Sequence, residues 1–150
     1  MSKATPTPAV VEAWASLVRT ERALLDKVEE ALKEQRLPPL DWYHALHEIE
    51  RAPRGVLRQT GVQDCTQLAQ YNVCRLVDRL QREGLVERHQ CRIDGRNNVL
   101  AITAKGKALR RAMWPVYAAA IEQHFGAHLS QAEAEQLARL LAKVLRPEAS

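Results

Sequence analysis

At 150 residues the chain is long enough for one domain with a substantial core, and 46% hydrophobic with 27% charged residues excludes a disordered polymer. The 22 Lys and Arg exceed the 18 Asp and Glu by a net +4, which permits a polyanionic partner without requiring one. No run of 18 apolar residues exists, so no membrane-spanning helix is predicted, and MSKATPTPAV lacks the apolar segment of a signal peptide, which points to the cytoplasm.

Cys65, Cys74 and Cys91 are widely spaced, with no C-x-x-C pair and no Cys/His cluster at zinc spacing, so free thiols in a reducing compartment are expected. Residues 1 to 8, with two prolines, read as a frayed arm. A long helix follows from about Ala9 to Gln35. Its apolar stripe is Val10, Val11, Trp14, Leu17, Val18, Leu24, Leu25, Val28 and Leu32. More than 20 residues is long for a helix in a compact domain, where about 12 is typical, so the stripe is expected to pack on something beyond its own neighbours, such as a second subunit.

Leu37-Pro38-Pro39 breaks that helix. A second helix is predicted from Leu40 to Glu50, with Asp41 at the positive end of its dipole and Trp42, Tyr43, Ala45, Leu46 and Ile49 as apolar positions. Pro53 and Gly55 end it, Val56-Leu57-Arg58 makes a short strand, and Gln59–Thr66 a weak helix containing Gly61.

From Gln70 to Gly84 the spacing of Val73, Leu76, Val77 and Leu80 gives a helix with one buried face. Arg75, Arg79 and Arg82 recur on another side, Gln70, Tyr71 and Asn72 open the helix, and Gly84 stops it. A solvated amphipathic helix would carry the same pattern. Two strands follow, at 85–89 and 99–102, joined by CRIDGRNN, whose Asp-Gly and Asn-Asn form turns and whose Arg92 and Arg96 make the tip basic. A helix-turn-helix followed by such a hairpin is a winged helix, with the form of a DNA-reading module.

Thr103 caps another long helix, striped by Leu109, Met113, Val116, Tyr117, Ile121 and Phe125. Pro115 is expected to kink it and Gly126 to stop it. The last helix opens on Ser130-Gln131-Ala132-Glu133, a capping-box spacing, and runs through Leu137, Leu140, Leu141, Val144 and Leu145 to Pro147. No nucleophile elbow, phosphate loop or metal-binding helix motif is present, so neither an enzyme nor a cofactor is predicted. Asp78 and Glu83 are expected to pair with nearby arginines.

Taken together, LVDRLQREGLVERH, DGR and VLAITAKGKAL resemble the MarR family of bacterial transcription regulators, and LPPLDWYHALHEIERAPRGVLR resembles its second helix and first strand. The resemblance covers residues 37 to 112 in detail. It implies a mainly α fold with a small β-hairpin wing: a winged helix-turn-helix at about 37–103, flanked by dimerisation helices at about 9–36 and 104–146. The resemblance implies a homodimeric repressor that reads a palindromic operator in double-stranded DNA and is released by a small-molecule effector, an aromatic acid or an acyl thioester.

By position, Gln70, Tyr71 and Asn72 should face the major groove, Arg75 should hold the groove edge or a phosphate, and Arg79 and Arg92 belong to the same basic surface. Arg96 should enter the minor groove, braced by Asp94. Gly95 departs from the resemblance by standing where a second basic wing residue is common, and TGVQDCTQL departs from the usual helix before the recognition helix.

An effector pocket is implied at the junction of the dimerisation helices and the winged helix, with Trp14, Trp42, Tyr43 and His44 placed near it. Trp42 and Tyr43 as plain core residues is the alternative. His44 and His47 lie three apart on one helix and read as exposed histidines for want of a third metal ligand. A thiol-based redox switch at Cys74, Cys91 or Cys65 is a second mechanism, against small buried cysteines. A winged helix that binds protein is a third reading, opposed by the basic helix and wing. Terminal helices that fold back as a monomeric bundle are the alternative to the dimer.

Overall fold

The computed structural model describes residues 4–66, 70–90 and 98–146, with backbone alone for 65, 66, 70 and 71. The order is α1 (Pro8–Glu34), α2 (Leu40–Arg51), β1 (Val56–Arg58), α3 (Gln59–Thr66), α4 (Gln70–Arg82), β2 (Val86–Gln90), β3 (Asn98–Ile102), α5 (Ala104–His124) and α6 (Gln131–Leu145). Met1–Glu30 with Ala118–Ser150 form one compact unit and Ala31–Tyr117 a second.

Local chemistry accounts for most of the boundaries. Thr7 caps α1, its Oγ1 accepting the Val10 N–H at 3.3 Å, with Pro8 in the first helical position, where a missing N–H costs nothing. The helix stops before the prolines. Leu37 N donates to Leu32 O at 2.9 Å and Arg36 N to Lys33 O at 3.0 Å, with Arg36 left-handed at φ 58°. This is the paired closure that usually takes glycine.

Gly84 performs the same closure on α4 at φ 75°. Leu85 N donates to Leu80 O at 2.9 Å and Gly84 N to Gln81 O at 3.0 Å, and both leucines are buried. Thr103 caps α5 as expected, accepting the Gly106 N–H at 3.0 Å. Pro115, which has no N–H to donate, lies inside α5, and the helix runs on past it to His124. Ser130 and Glu133 form both bonds of the capping box on α6. The Ser130 backbone N–H and hydroxyl hold the Glu133 carboxyl below the usual glutamate range.

In the 31–117 unit the sheet has three strands, in the order β1-β3-β2 and antiparallel throughout. The expected hairpin is therefore extended by the short strand, with Leu57 opposite Leu100 and Arg88 opposite Leu100 on the other side. Ala45, Leu46 and Ile49 of α2, Val62 of α3, and Val73, Leu76, Val77 and Leu80 of α4 close over Leu85, Val86 and Leu100 as one core. Each Val, Leu or Ile side chain among them, removed from water, stabilises the fold by about 1.5–3 kcal/mol. Trp42 is partly buried against this core.

The other unit is differently built. α6 buries no residue within the single chain, and Val10, Val11, Trp14 and Leu17 of α1 stay exposed, with Trp14 67% accessible. Val144 and Leu145 of α6 are 76% and 84% accessible. Of the α1 stripe, Val28 is buried, as is Leu32, which belongs to the 31–117 unit.

Candidate nucleic-acid interface

α4 presents two faces. Val73, Leu76, Val77 and Leu80 point into the core. Asn72, Arg75, Arg79 and Arg82 are exposed, and at about 100° per residue they fall within an arc of about 80°. The arc lies on the far side from the core stripe, so burial of one face fixes the presentation of the other. Gln70 and Tyr71 open the helix, with side chains outside the described set. Arg92, Asp94 and Arg96 also lie outside the described residues, as do Cys91 and the side chain of Cys65.

Three sets of contacts fix α4 against the wing strands and α5. Asp78 Oδ1 accepts from Arg88 Nη2 of β2 at 2.7 Å, so Asp78 pairs with an arginine, as expected, and that arginine lies on the strand. Gln59, the first residue of α3, donates through Nε2 to Cys74 Sγ at 3.3 Å and accepts from Asn98 Nδ2 of β3 at 3.5 Å. Cys74 is thus a half-buried free thiol at one end of a side-chain bridge from β3 to α4.

The third set closes the end of α4. The Thr103 hydroxyl lies 2.7 Å from Gly84 O and 3.0 Å from Leu85 O, Thr103 N donates to Leu85 O at 3.1 Å, and Lys105 Nζ donates to Glu83 O at 2.7 Å. Gly106 packs so closely beneath Leu85 that a Cβ there would overlap the Leu85 carbonyl oxygen. The spacing Thr103-x-x-Gly106 is explained by this contact. Glu83, expected to pair with an arginine, contributes its backbone carbonyl here instead.

The four residues placed near an effector have different immediate surroundings. Trp42 borders a cavity of about 590 Å³ whose walls include Leu37, Pro38, Leu85 and Leu109. Tyr43, on the neighbouring face of α2, is buried in a ring cluster. It stacks on His47 at 5.6 Å and on Trp114 at 6.0 Å, and meets Tyr117 edge-on at 5.2 Å. His44 joins this cluster, 5.8 Å from Tyr117. Burial, and then the neighbouring Tyr43 phenol, raise the Tyr117 hydroxyl above the ordinary tyrosine value. Trp14 lies in the other unit, beside Arg19, Arg22 and Asp26.

His44 and His47 are therefore half-buried ring partners where exposed side chains were expected. Among the described residues no group of three His, Cys, Asp or Glu could hold a metal ion. The same α2–α5 face carries an ion pair between Glu50 and Arg110, with Arg111 Nη2 3.9 Å from the other Glu50 oxygen. Sequence reasoning passed over Trp114, though Trp114 and Tyr117 stand three apart on one helix. It also passed over Gln59, whose bridging role leaves no trace in periodicity.

Residues 37–97 match the MarR family model. A search of curated protein sequences finds no match. Among solved structures, Sco3205 from Streptomyces coelicolor, a MarR family transcriptional regulator crystallised with DNA, superposes with a TM-score of 0.83. It is 23% identical over 99% of this chain and 95% of its own. BpsR from Bordetella bronchiseptica, whose DNA binding is regulated by 6-hydroxynicotinic acid, gives 0.79 at 21% identity, covering 90% of this chain and 99% of its own. CouR from Rhodococcus jostii RHA1, bound to p-coumaroyl-CoA, gives 0.73 at 27% identity, covering 89% and 92%. The order of the motifs, the β1-β3-β2 winged helix that they build and the family match agree, and residues 37–97 of this chain are similar to the MarR family.

Proposed function

We propose that this chain is a sequence-specific DNA-binding transcription regulator that acts as a homodimeric repressor and leaves its palindromic operator when a small organic ligand binds. The observation that carries the reading is the α4 arc of Asn72, Arg75, Arg79 and Arg82, exposed opposite a core stripe and tied through Asp78 to the wing strand. A polar side chain at the start of such a helix reads base edges, while arginines along it meet phosphates. The wing tip with Arg92, Asp94 and Arg96 supplies the minor-groove contact in this reading. DNA is bound by Sco3205, and small ligands by BpsR and CouR. The apolar faces left open on α1 and α6 supply the surface for a second copy.

The test is selection of bound sequences from a random duplex pool, followed by anisotropy titrations at several salt concentrations. The reading expects a two-fold symmetric site. Arg79→Ala should lower affinity for all sequences and flatten the salt slope by about 0.9, whereas Asn72→Ala should relax the preference at one base pair of each half-site. An unselective pool after several rounds would sink the reading. Cys74 supports the thiol alternative, because oxidation of its sulfur would break the Gln59 bond at α4. A loss of binding under peroxide that reductant reverses, and that Cys74→Ser abolishes, would favour it.

A further inference from the structure

Side-chain bonds join the wing strands to α4 at two points, and the Asp78–Arg88 pair is one of them. Side chains alternate across a strand. Leu57 and Arg88 flank Leu100 on the face of the sheet that packs into the core with α4. Two residues nearer the wing, the same face carries Asn98 and Gln90. Gln59 comes one step after the last paired position of β1, Arg58 opposite Val99, and so draws level with Asn98. Its amide spans the space between sheet and helix. Oε1 accepts from Asn98 Nδ2 at 3.5 Å, and Nε2 donates to Cys74 Sγ at 3.3 Å. All three side chains are half-buried.

The spacing of the two joints matches on both partners. Cys74 and Asp78 stand four apart on one face of α4, about 6 Å along its axis. Gln90 and Arg88 stand two apart on β2, about 6.8 Å along the strand. One joint would leave the helix free to swing about it, whereas two in register fix its direction across the sheet. The Gln59 joint lies at the reading end. Cys74 follows Asn72 by two residues, and Asn98 is the first residue of β3 after the wing connection. An amide suits the position because it offers a donor and an acceptor on one planar group. A carboxylate could not donate to the sulfur, and an aliphatic side chain could form neither bond.

We propose that Gln59 is a positioning residue for DNA recognition. It holds the start of α4 and the root of the wing at one spacing, so that major-groove and minor-groove contacts form together. Bonds of this strength add little to stability, and their effect on binding comes from the order that they impose before DNA arrives. The inference rests on the regulator reading above and adds the residue that couples its two contact surfaces.

The test uses the full chain on its selected operator, with footprints that report the two grooves separately. Dimethyl sulfate reads guanine N7 in the major groove, and hydroxyl radicals read the sugars along the minor groove. Gln59→Met keeps the length and the apolar stem but loses both bonds. Cys74→Ala loses the bond to α4, and Cys74→Ser keeps an acceptor for it. Wild type and Cys74→Ser should protect both grooves. Gln59→Met and Cys74→Ala should keep the major-groove protection, lose that of the minor groove and bind about tenfold more weakly, the effect of one lost charge-assisted contact. Their urea midpoints should stay close to that of wild type.

A residue that merely supports the fold would act differently: its loss would lower the midpoint and fade both footprints in step. That result would overturn the inference. So would wild-type footprints and affinity in Gln59→Met, a wild type that protects the major groove alone, or Cys74→Ser behaving like Cys74→Ala. In each of these cases the regulator reading would stand. A wild type that protects no duplex would remove that reading, and this inference with it.

Discussion

Asp78 and Arg88 meet at 2.7 Å, joining the helix that carries the basic arc to the strand that leads into the wing. The pair is asymmetric. Asp78 is largely exposed, Arg88 is mostly covered, and the Arg88 Nε has no hydrogen-bond partner among the described residues. Solvent at the carboxylate limits the gain, and exposed pairs of this kind contribute about 0.2–1 kcal/mol. Removing Asp78 is worse than losing that gain, because it strands a half-buried guanidinium. Asp78→Ala should cost about 1 kcal/mol, and Arg88→Met less, since it also removes the unpartnered Nε. The double variant should be more stable than the sum of the singles predicts, read from urea midpoints in a double-mutant cycle. Strict additivity would mean that the bond contributes nothing.

Gly106 and Gly61 separate two kinds of crowding. A methyl at Gly106 meets the Leu85 carbonyl, which is backbone fixed by the turn after α4, and the Ile102 side chain at 2.9 Å. A methyl at Gly61 meets Leu57 Cδ1 at 2.8 Å, the far end of a side chain that can rotate. Gly106→Ala should therefore cost about 2–3 kcal/mol. Gly61→Ala should stay within about 0.5 kcal/mol of wild type, because alanine regains about 1 kcal/mol of helix propensity in α3. Equal losses from the two, measured by chemical denaturation, would contradict this account.

Elements set by local chemistry were legible in the sequence. Gln59–Thr66 is a helix with those bounds, the Ser130–Glu133 capping box forms, and Thr103 caps α5. Features set by distant partners were not. The turn that closes α1 after Glu34 puts Arg36 in a glycine-like conformation, and an arginine gives no signal of that. Pairing of β1 with β3 joins segments more than 40 residues apart, and three residues are too short for alternation to reveal a partner. His44 and His47 are half-buried because α5 brings Trp114 and Tyr117 over α2. Trp42 and Tyr43, adjacent in sequence, face a cavity and a ring cluster respectively, since successive helical residues diverge by about 100°. Asn72, Arg75, Arg79 and Arg82 are exposed on α4 because the same period that buries one face exposes the other.

The Tyr43–Tyr117 contact has a consequence for alkaline stability. Burial and the adjacent phenol raise the Tyr117 hydroxyl above its unfolded value of about 10. Above that pH the unfolded chain loses this proton while the folded chain keeps it, so the folded state binds more protons and its stability falls with rising pH. The effect is absent below about pH 10 and grows until the folded hydroxyl itself ionises. Tyr117→Phe should flatten this decline relative to wild type, read as urea midpoints between pH 8 and pH 11. Parallel profiles for the two proteins would show that Tyr117 ionises freely in the folded chain.

The apolar surface left open by the single chain points to a second copy. α6 buries none of its residues, yet Leu140, Leu141, Val144 and Leu145 are all exposed, as are Val10, Val11, Trp14 and Leu17 on α1. Water against large side chains forfeits about 25 cal/mol for each Å² that could be buried, and a stable interface covers about 800 Å² of each partner. Leu140 and Val144 stand four apart on one face of α6, so charging both places two carboxylates in any interface that α6 forms. Leu140→Glu/Val144→Glu should shift the light-scattering mass from twice 16.9 kDa to the mass of one chain. The near-ultraviolet dichroism of the Tyr43–Trp114 stack, in the other unit, should be retained, which separates dissociation from unfolding. Operator affinity should fall steeply in the same variant, because two half-sites would then be bound independently. A double variant that keeps twice the chain mass would exclude α6 from the interface.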